Sequence, residues 1–222
     1  MNDRPWKDNR LHWLVIPAAT TLVGLACFAL LFAVSANVLN GNAPKDDLLP
    51  SYRLTLSHSG DLIQLEGYID FGITQALSTL LEQEEGVVHL RLQSRGGLVA
   101  EARGLVRLVE EFGLTTSASG DCVSACTLVF IAGHTRYLEP EARLGFHRYA
   151  QKSPVMEFLM KQDPEDEQQR DLDLFRRADV DEAFLARIME TSHQQMWYPT
   201  VSELVASGVV DVLGMPDEAP GS

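Results

Sequence analysis

The sequence predicts an α/β domain carried behind one N-terminal membrane helix. Three observations lead there. An uncharged apolar stretch opens the chain, strand-like and helix-like periods alternate through its middle, and glycine-bearing turns stand where strands give way to helices.

The apolar stretch comes first. Leu11 to Pro44 contains no Asp, Glu, Lys or Arg, and its core, Trp13 to Val34, has 22 residues. At a rise of ~1.5 Å per residue such a helix is roughly 33 Å long, enough to cross a hydrocarbon layer of ~30 Å. A cleavable secretory signal is the rival reading. Its apolar region spans only about 7–15 residues, although Val34-Ser35-Ala36 offers small residues for cleavage. Residues 1–12 read as a cytoplasmic tail, 13–36 as a transmembrane signal anchor, 37–51 as a linker rich in turn formers, and 52–222 as the folded domain. Arg4, Lys7 and Arg10 precede the span and hold that end in the cytoplasm. The expectation is a single-pass plasma-membrane protein whose domain is periplasmic or otherwise extracytoplasmic.

Composition narrows the partners. With 45% hydrophobic and 22% charged residues the chain is of ordinary globular type. Setting aside residues 1–44 leaves 15 basic and 29 acidic side chains, a net charge of −14. Such a surface repels phosphate backbones, so nucleic acid is not an expected partner. Cys27 falls in the apolar span, and Cys122 and Cys126 flank Ser124. Their spacing fits neither a CxxC redox motif nor a zinc set, and no metal or cofactor is expected. Cys122 and Cys126 are either two small buried thiols or a disulfide formed in an oxidising compartment.

The domain then proceeds by period. Arg53 to Leu56 alternates as a strand does, His58 to Asp61 is turn chemistry, and Leu62 to Gly67 is a second strand. Across Phe71 to Gln83, residues Ile73, Ala76, Leu77, Leu80 and Leu81 fall at helical spacing. Val87 to Leu92 is a short apolar-rich strand, Gln93 to Gly97 a turn, and Leu98 to Phe112 a second helix. Leu114 to Ser117 is a strand, Gly120 to Val123 a turn, and Ser124 to Ala132 a very apolar helix. Strands follow near Arg136–Leu138 and Arg143–Phe146. Residues 163–173 hold six acids and read as a solvated face or mobile loop, within an acidic insert near 152–178. Asp179 or Asp181 caps a helix running to Thr191.

Two turns carry chemistry: Ser94-Arg-Gly-Gly97 and Gly120-Asp-Cys-Val-Ser-Ala-Cys126. Backbone N–H groups at a turn or helix start stabilise the oxyanion of an acyl-transfer intermediate, and glycine lets the main chain come close to a substrate. Alone, each motif is ordinary. A serine before an apolar helix is usually its N-cap, and a Gly-Gly pair is usually only a turn.

Together they resemble the proteolytic subunit of Clp protease and its relatives in the Clp/crotonase fold, built of ββα units. Gly120 to Gly133 (GDCVSACTLVFIAG) resembles that family's nucleophile segment. Ser94 to Gly97 stands where the family has Ser-Pro-Gly-Gly, with Arg95 in place of proline. Arg136 to His147 resembles the segment ending in the catalytic histidine, and Gly208-Val-Val-Asp211 the closing Gly-Leu-Val-Asp. The resemblance runs from about Leu62 to Leu213. It implies Ser124 as nucleophile, His147 as general base, and the N–H groups of Gly97 and Ala125 as the oxyanion hole. The third member departs from the pattern. The family's aspartate falls at or near Ser192, no carboxylate lies from Thr191 to Val201, and Glu190 is the nearest. A Ser–Lys dyad would have to draw on Lys152.

The resemblance implies a membrane-anchored serine peptidase that cuts peptides or unfolded proteins, assembled as a homo-oligomer. With no ATP supply outside the cytoplasm, no ATPase partner is expected. A non-catalytic binding or scaffold protein that has lost the acid is the alternative. An acyl-CoA-using relative fits less well, because the acidic surface repels the coenzyme's phosphates.

Overall fold

The alternating residues at the start of the domain pair as a hairpin. Strand β1 (Tyr52–Leu56) runs antiparallel to β2 (Leu62–Gly67), with Leu54 opposite Leu65 and Leu56 opposite Ile63. This is a computed structural model, and it describes residues 51–149 and 164–216. The chain divides into two units at Leu49–Pro50, inside the predicted linker, and the described residues belong to the second. The predicted tail and signal anchor lie outside them. Among the described residues no helix is long and apolar enough to cross a membrane.

After the hairpin the period changes and the topology follows. Helix α1 (Ile73–Gln83) leads to β3 (His89–Ser94), and α2 (Val99–Glu111) leads to β4 (Thr115–Val123). Parallel strands cannot be joined by a tight turn, and here a helix makes each return. β2, β3 and β4 are parallel neighbours, and β4 takes β5 (Arg136–Leu138) along Thr116–Ala118 and β6 (Arg143–Gly145) along Asp121–Val123. The short β7 (Val212–Leu213) closes the order β1-β2-β3-β4-β5-β7. The expected α/β class holds: the sheet is mixed, with one antiparallel edge pair and otherwise parallel pairs.

The core explains why the helices lie where they do. Ile73, Leu77 and Leu81 of α1 and Ala102, Leu105 and Val109 of α2 recur at helical spacing and are buried, as are Leu90 and Leu92 of β3. The two helices meet closely at Gly104, where a Cβ would come within 2.3 Å of Thr74 Oγ1. Glu101 of α2 accepts from the Gly72 and Thr74 N–H groups, each at 3.1 Å. It caps an α1 start that has no capping side chain of its own. Helix α3 (Ala125–Ile131) is buried along its whole length.

Two expectations are corrected. Gly120 to Val123 is not a turn but the end of β4, because Asp121, Cys122 and Val123 pair with Arg143, Leu144 and Gly145. The reversal falls at Ser124 itself. The acid-rich stretch is likewise not a loop in its described part, although it keeps a solvated face with Asp166 and Asp173 exposed. Residues Pro164–Arg177 form helix α4, and Gln168, Asp171, Leu172, Leu174 and Phe175 are buried on it. Two of its acids are drawn inward by Arg103, whose guanidinium bonds Asp171 through Nε and one Nη at 2.8 Å each and pairs with Glu167 at 2.6 Å. Helix α5 (Glu182–Glu190) is capped by Asp181, which accepts from the Ala183 N–H at 3.1 Å. Asp179 instead sits in the preceding turn with φ 60°. Asp211, from the closing motif, ties the end of the domain to β5 through Arg136: the backbone N–H at 2.8 Å and the guanidinium Nε at 2.7 Å.

Candidate active site

Ser124 stands at the junction of β4 and α3 with φ 56° and ψ −127°. A non-glycine residue with positive φ is strained, at a cost of about 1–3 kcal/mol, and persists only where its surroundings impose it. Here the Ser124 N–H is fixed to the Gly145 carbonyl at 2.9 Å, and the residue on either side is held by β4 or α3. The serine does not serve as an N-cap: its side chain makes no cap hydrogen bond. Its Oγ lies 2.8 Å from His147 Nε2. A sharp strand-to-helix turn of this kind lifts a hydroxyl away from the backbone and into reach of a base.

Two features brace that turn. Cys122 and Cys126 form a disulfide across it, which decides between the two readings of these residues. Both are fully buried. The second brace is the Ser94–Gly97 turn. Gly96, with φ 86°, packs so close that a Cβ there would lie 2.7 Å from the Val123 carbonyl oxygen and 2.9 Å from Ser124 Cβ. Only glycine meets both the space and the backbone angle. Ser94 holds the turn from inside by accepting the Gly96 N–H at 3.1 Å. Arg95, which replaces the resembled family's proline, is exposed.

The two residues whose N–H groups are expected in an oxyanion hole, Gly97 and Ala125, directly follow Gly96 and Ser124, which meet in this contact. Ala125 is the first residue of α3, where backbone N–H groups have no partner within the helix. Gly97 forms a parallel bridge with Ile69, but the bonds of that bridge come from the Ile69 N–H to Gly96 O and the Leu98 N–H to Ile69 O. The bridge therefore anchors the turn without consuming the Gly97 N–H.

His147 is held by its other nitrogen. Nδ1 lies 2.7 Å from the Arg148 carbonyl oxygen. A carbonyl only accepts, so Nδ1 carries the proton and Nε2 presents its lone pair to the serine hydroxyl. That is the tautomer a general base requires. Glu190, the nearest carboxylate by sequence, does not reach the ring. It projects from the end of α5, 71% exposed, with Arg187 at 3.9 Å. Sequence spacing put an acid near the histidine, but α5 ends with that residue facing solvent. Lys152 lies outside the described residues.

A small cavity of about 20 Å³, room for about one water, adjoins the pair. Ser124, His147, Tyr149, Gln168 and Asp171 contribute its polar wall, and Phe146 and Leu172 are among its apolar lining. The Tyr149 hydroxyl donates to Asp171 Oδ2 at 2.6 Å. Burial, and then the Asp171 carboxylate, push the phenol's pKa well above its ordinary value, so it stays a donor. Gln168 accepts the Tyr149 N–H at 2.7 Å and reaches the His147 carbonyl at 3.4 Å. Sequence reasoning missed these α4 residues. The signal was there: Gln168, Asp171, Leu172 and Phe175 are spaced as one helix face.

No family model matches the chain. None of the curated proteins matches it either. The functional reading therefore stands on this geometry and on the motifs that led to it.

Proposed function

We propose that the domain is a serine-type hydrolase of the Clp/crotonase fold, acting on peptides or unfolded proteins from a membrane anchor on the extracytoplasmic side. The observation that carries this reading is the 2.8 Å contact between Ser124 Oγ, on a positive-φ turn, and His147 Nε2 in its base-competent tautomer. Attack of Ser124 Oγ on a substrate carbonyl passes the hydroxyl proton to Nε2 and places negative charge on the carbonyl oxygen. The N–H groups of Gly97 and Ala125, not taken up by the Ile69 bridge or by helix α3, are the donors assigned to that charge. Collapse of the intermediate returns the proton to the leaving amine, and water activated by the same nitrogen releases the acyl group. The chain acts without a cofactor, as a homo-oligomer, with no ATPase or nucleic-acid partner.

One feature favours the alternative of a binding or scaffold protein. The group on His147 Nδ1 is a neutral carbonyl, which orients the ring but supplies no negative charge to stabilise its protonated form. The two readings part on one experiment. The full-length chain in detergent is treated with a fluorophosphonate probe alongside Ser124→Ala and His147→Ala. The hydrolase reading expects labelling of wild type, none of Ser124→Ala, and a loss of at least about 1,000-fold in rate for His147→Ala. Labelling that survives Ser124→Ala sinks the nucleophile assignment, and a folded wild type that never labels favours the scaffold.

A further inference from the structure

The backbone that bears His147 is gripped from both sides. On one side the Arg148 N–H donates to the Thr191 carbonyl at 2.9 Å. On the other, the Gln168 side chain accepts the Tyr149 N–H at 2.7 Å and reaches back to the His147 carbonyl at 3.4 Å. Gln168 thus spans the peptide units before and after Arg148, whose carbonyl is the partner of the imidazole.

We propose that Gln168 is a positioning residue for the Ser124–His147 pair, holding the Arg148 carbonyl where it orients the imidazole. The inference rests on the hydrolase reading above. In a triad a charged side chain both orients and stabilises the ring. Here the orienting half of that task passes to a backbone carbonyl, and a backbone carbonyl aims a ring only if its own peptide is fixed. Gln168 is suited to fix it. It is 4% exposed, and it lies on α4, itself tied to α2 by Arg103 through Asp171 and Glu167. The Tyr149 hydroxyl, bonded to the same Asp171, closes the loop from α4 back to the histidine segment. Every link from Arg103 to Nδ1 is then a hydrogen bond or a covalent segment of at most a few residues. The assignment also explains why a helix rich in acids has a neutral amide at the position facing the base. An amide accepts from one peptide and donates to its neighbour, whereas a carboxylate accepts only.

The test uses the full-length chain in detergent, with the second-order rate of fluorophosphonate labelling as readout and the melting temperature as control. Gln168→Met keeps the side-chain volume and removes both polar atoms. Gln168→Ala is the second variant should that one fail to fold. Either is expected to label about 10- to 100-fold more slowly than wild type, since a displacement of ~1 Å at a reacting group costs about that much. Gln168→Glu keeps the acceptor for the Tyr149 N–H but loses the donor to the His147 carbonyl, and is expected to fall between wild type and those variants, about three- to tenfold slower than wild type. A merely structural role would slow labelling only in step with lost stability and would not distinguish the glutamate. Folded Gln168→Met or Gln168→Ala that labels at the wild-type rate overturns the proposal, as does folded Gln168→Glu as slow as Gln168→Met. If wild type itself shows no Ser124-dependent labelling, the hydrolase reading has failed and this inference falls with it.

Discussion

Among its described residues the domain holds two serine–histidine pairs with nearly equal contacts but opposite proton arrangements. Ser124 Oγ lies 2.8 Å from His147 Nε2, and Ser117 Oγ lies 2.9 Å from His89 Nε2. The difference is where the protons go. Ser117 also lies 2.9 Å from Glu139 Oε1, and a hydroxyl bonded to a carboxylate gives its proton there. His89 Nε2 must then donate to Ser117, so it cannot act as a base toward it. Arg91 closes the cluster from the other side, bonding Glu139 through Nε at 2.6 Å and through a second, shorter contact of its Nη2. His89, Ser117 and Glu139 are all at least nine-tenths buried, and their strands carry no positive-φ turn at the serine. At the other pair the hydroxyl has no such competitor among the described residues, the ring's second nitrogen meets a pure acceptor, and a cavity adjoins both groups. A short Ser–His distance is therefore not itself a site. The partners one bond further out decide it.

The largest expected effect breaks this comparison at the serines. Ser124→Ala abolishes fluorophosphonate labelling, whereas Ser117→Ala leaves its rate within about twofold and costs stability instead, about 1–3 kcal/mol for the lost hydroxyl. Labelling rates and urea midpoints on both variants check this. Equal loss of labelling would mean that the buried cluster is part of the reacting machinery.

The second prediction concerns the histidines. Burial pushes the pKa of His89 down to about 4, against an ordinary value near 6.5. Between those values the unfolded chain binds a proton that the folded chain refuses. Stability contributed by this group is thus unaffected above pH 6.5 and falls as the pH drops from 6.5 toward 4, by about 3 kcal/mol in all. Urea unfolding of wild type and His89→Gln at pH 7 and pH 4 measures the difference. The variant is expected to lose less stability on acidification. Parallel losses would show that His89 titrates normally in the fold.

Much of this was legible in the sequence, and the rest failed for definite reasons. Ile73, Leu77 and Leu81 announce α1 because one helix face is buried and the other is not. Ser124, Gly97 and His147 are readable as candidates because the proposed chemistry demands a serine, a glycine and a histidine as such. The end of β4 was misread because Gly120 and Asp121 are turn formers locally, while the pairing that overrides them comes from Arg143 and Leu144, over 20 residues away. The buried face of α4 was not legible because Asp171 and Glu167 look solvated like Asp166 and Asp173 until Arg103 is seen opposite them, at a sequence separation of 68 from Asp171. The partner of His147 was not legible at all. It is a main-chain carbonyl, which every residue possesses and no residue type signals.

That last point yields the smallest expected effect. By sequence, Glu190 is the nearest carboxylate to the position an acid should fill. In the fold it is 71% exposed beside Arg187, an ion pair of the surface kind that contributes only about 0–1 kcal/mol. Glu190→Gln removes its charge and little else. If the Arg148 carbonyl orients His147, the variant labels within about twofold of wild type and its urea midpoint barely moves. A tenfold slower rate in a folded Glu190→Gln protein would mean that the carboxylate reaches the imidazole during the reaction. Ser124–His147 would then be a triad completed by a movement of the end of α5, and the contrast with the buried pair would lie in charge as well as in the path of the proton.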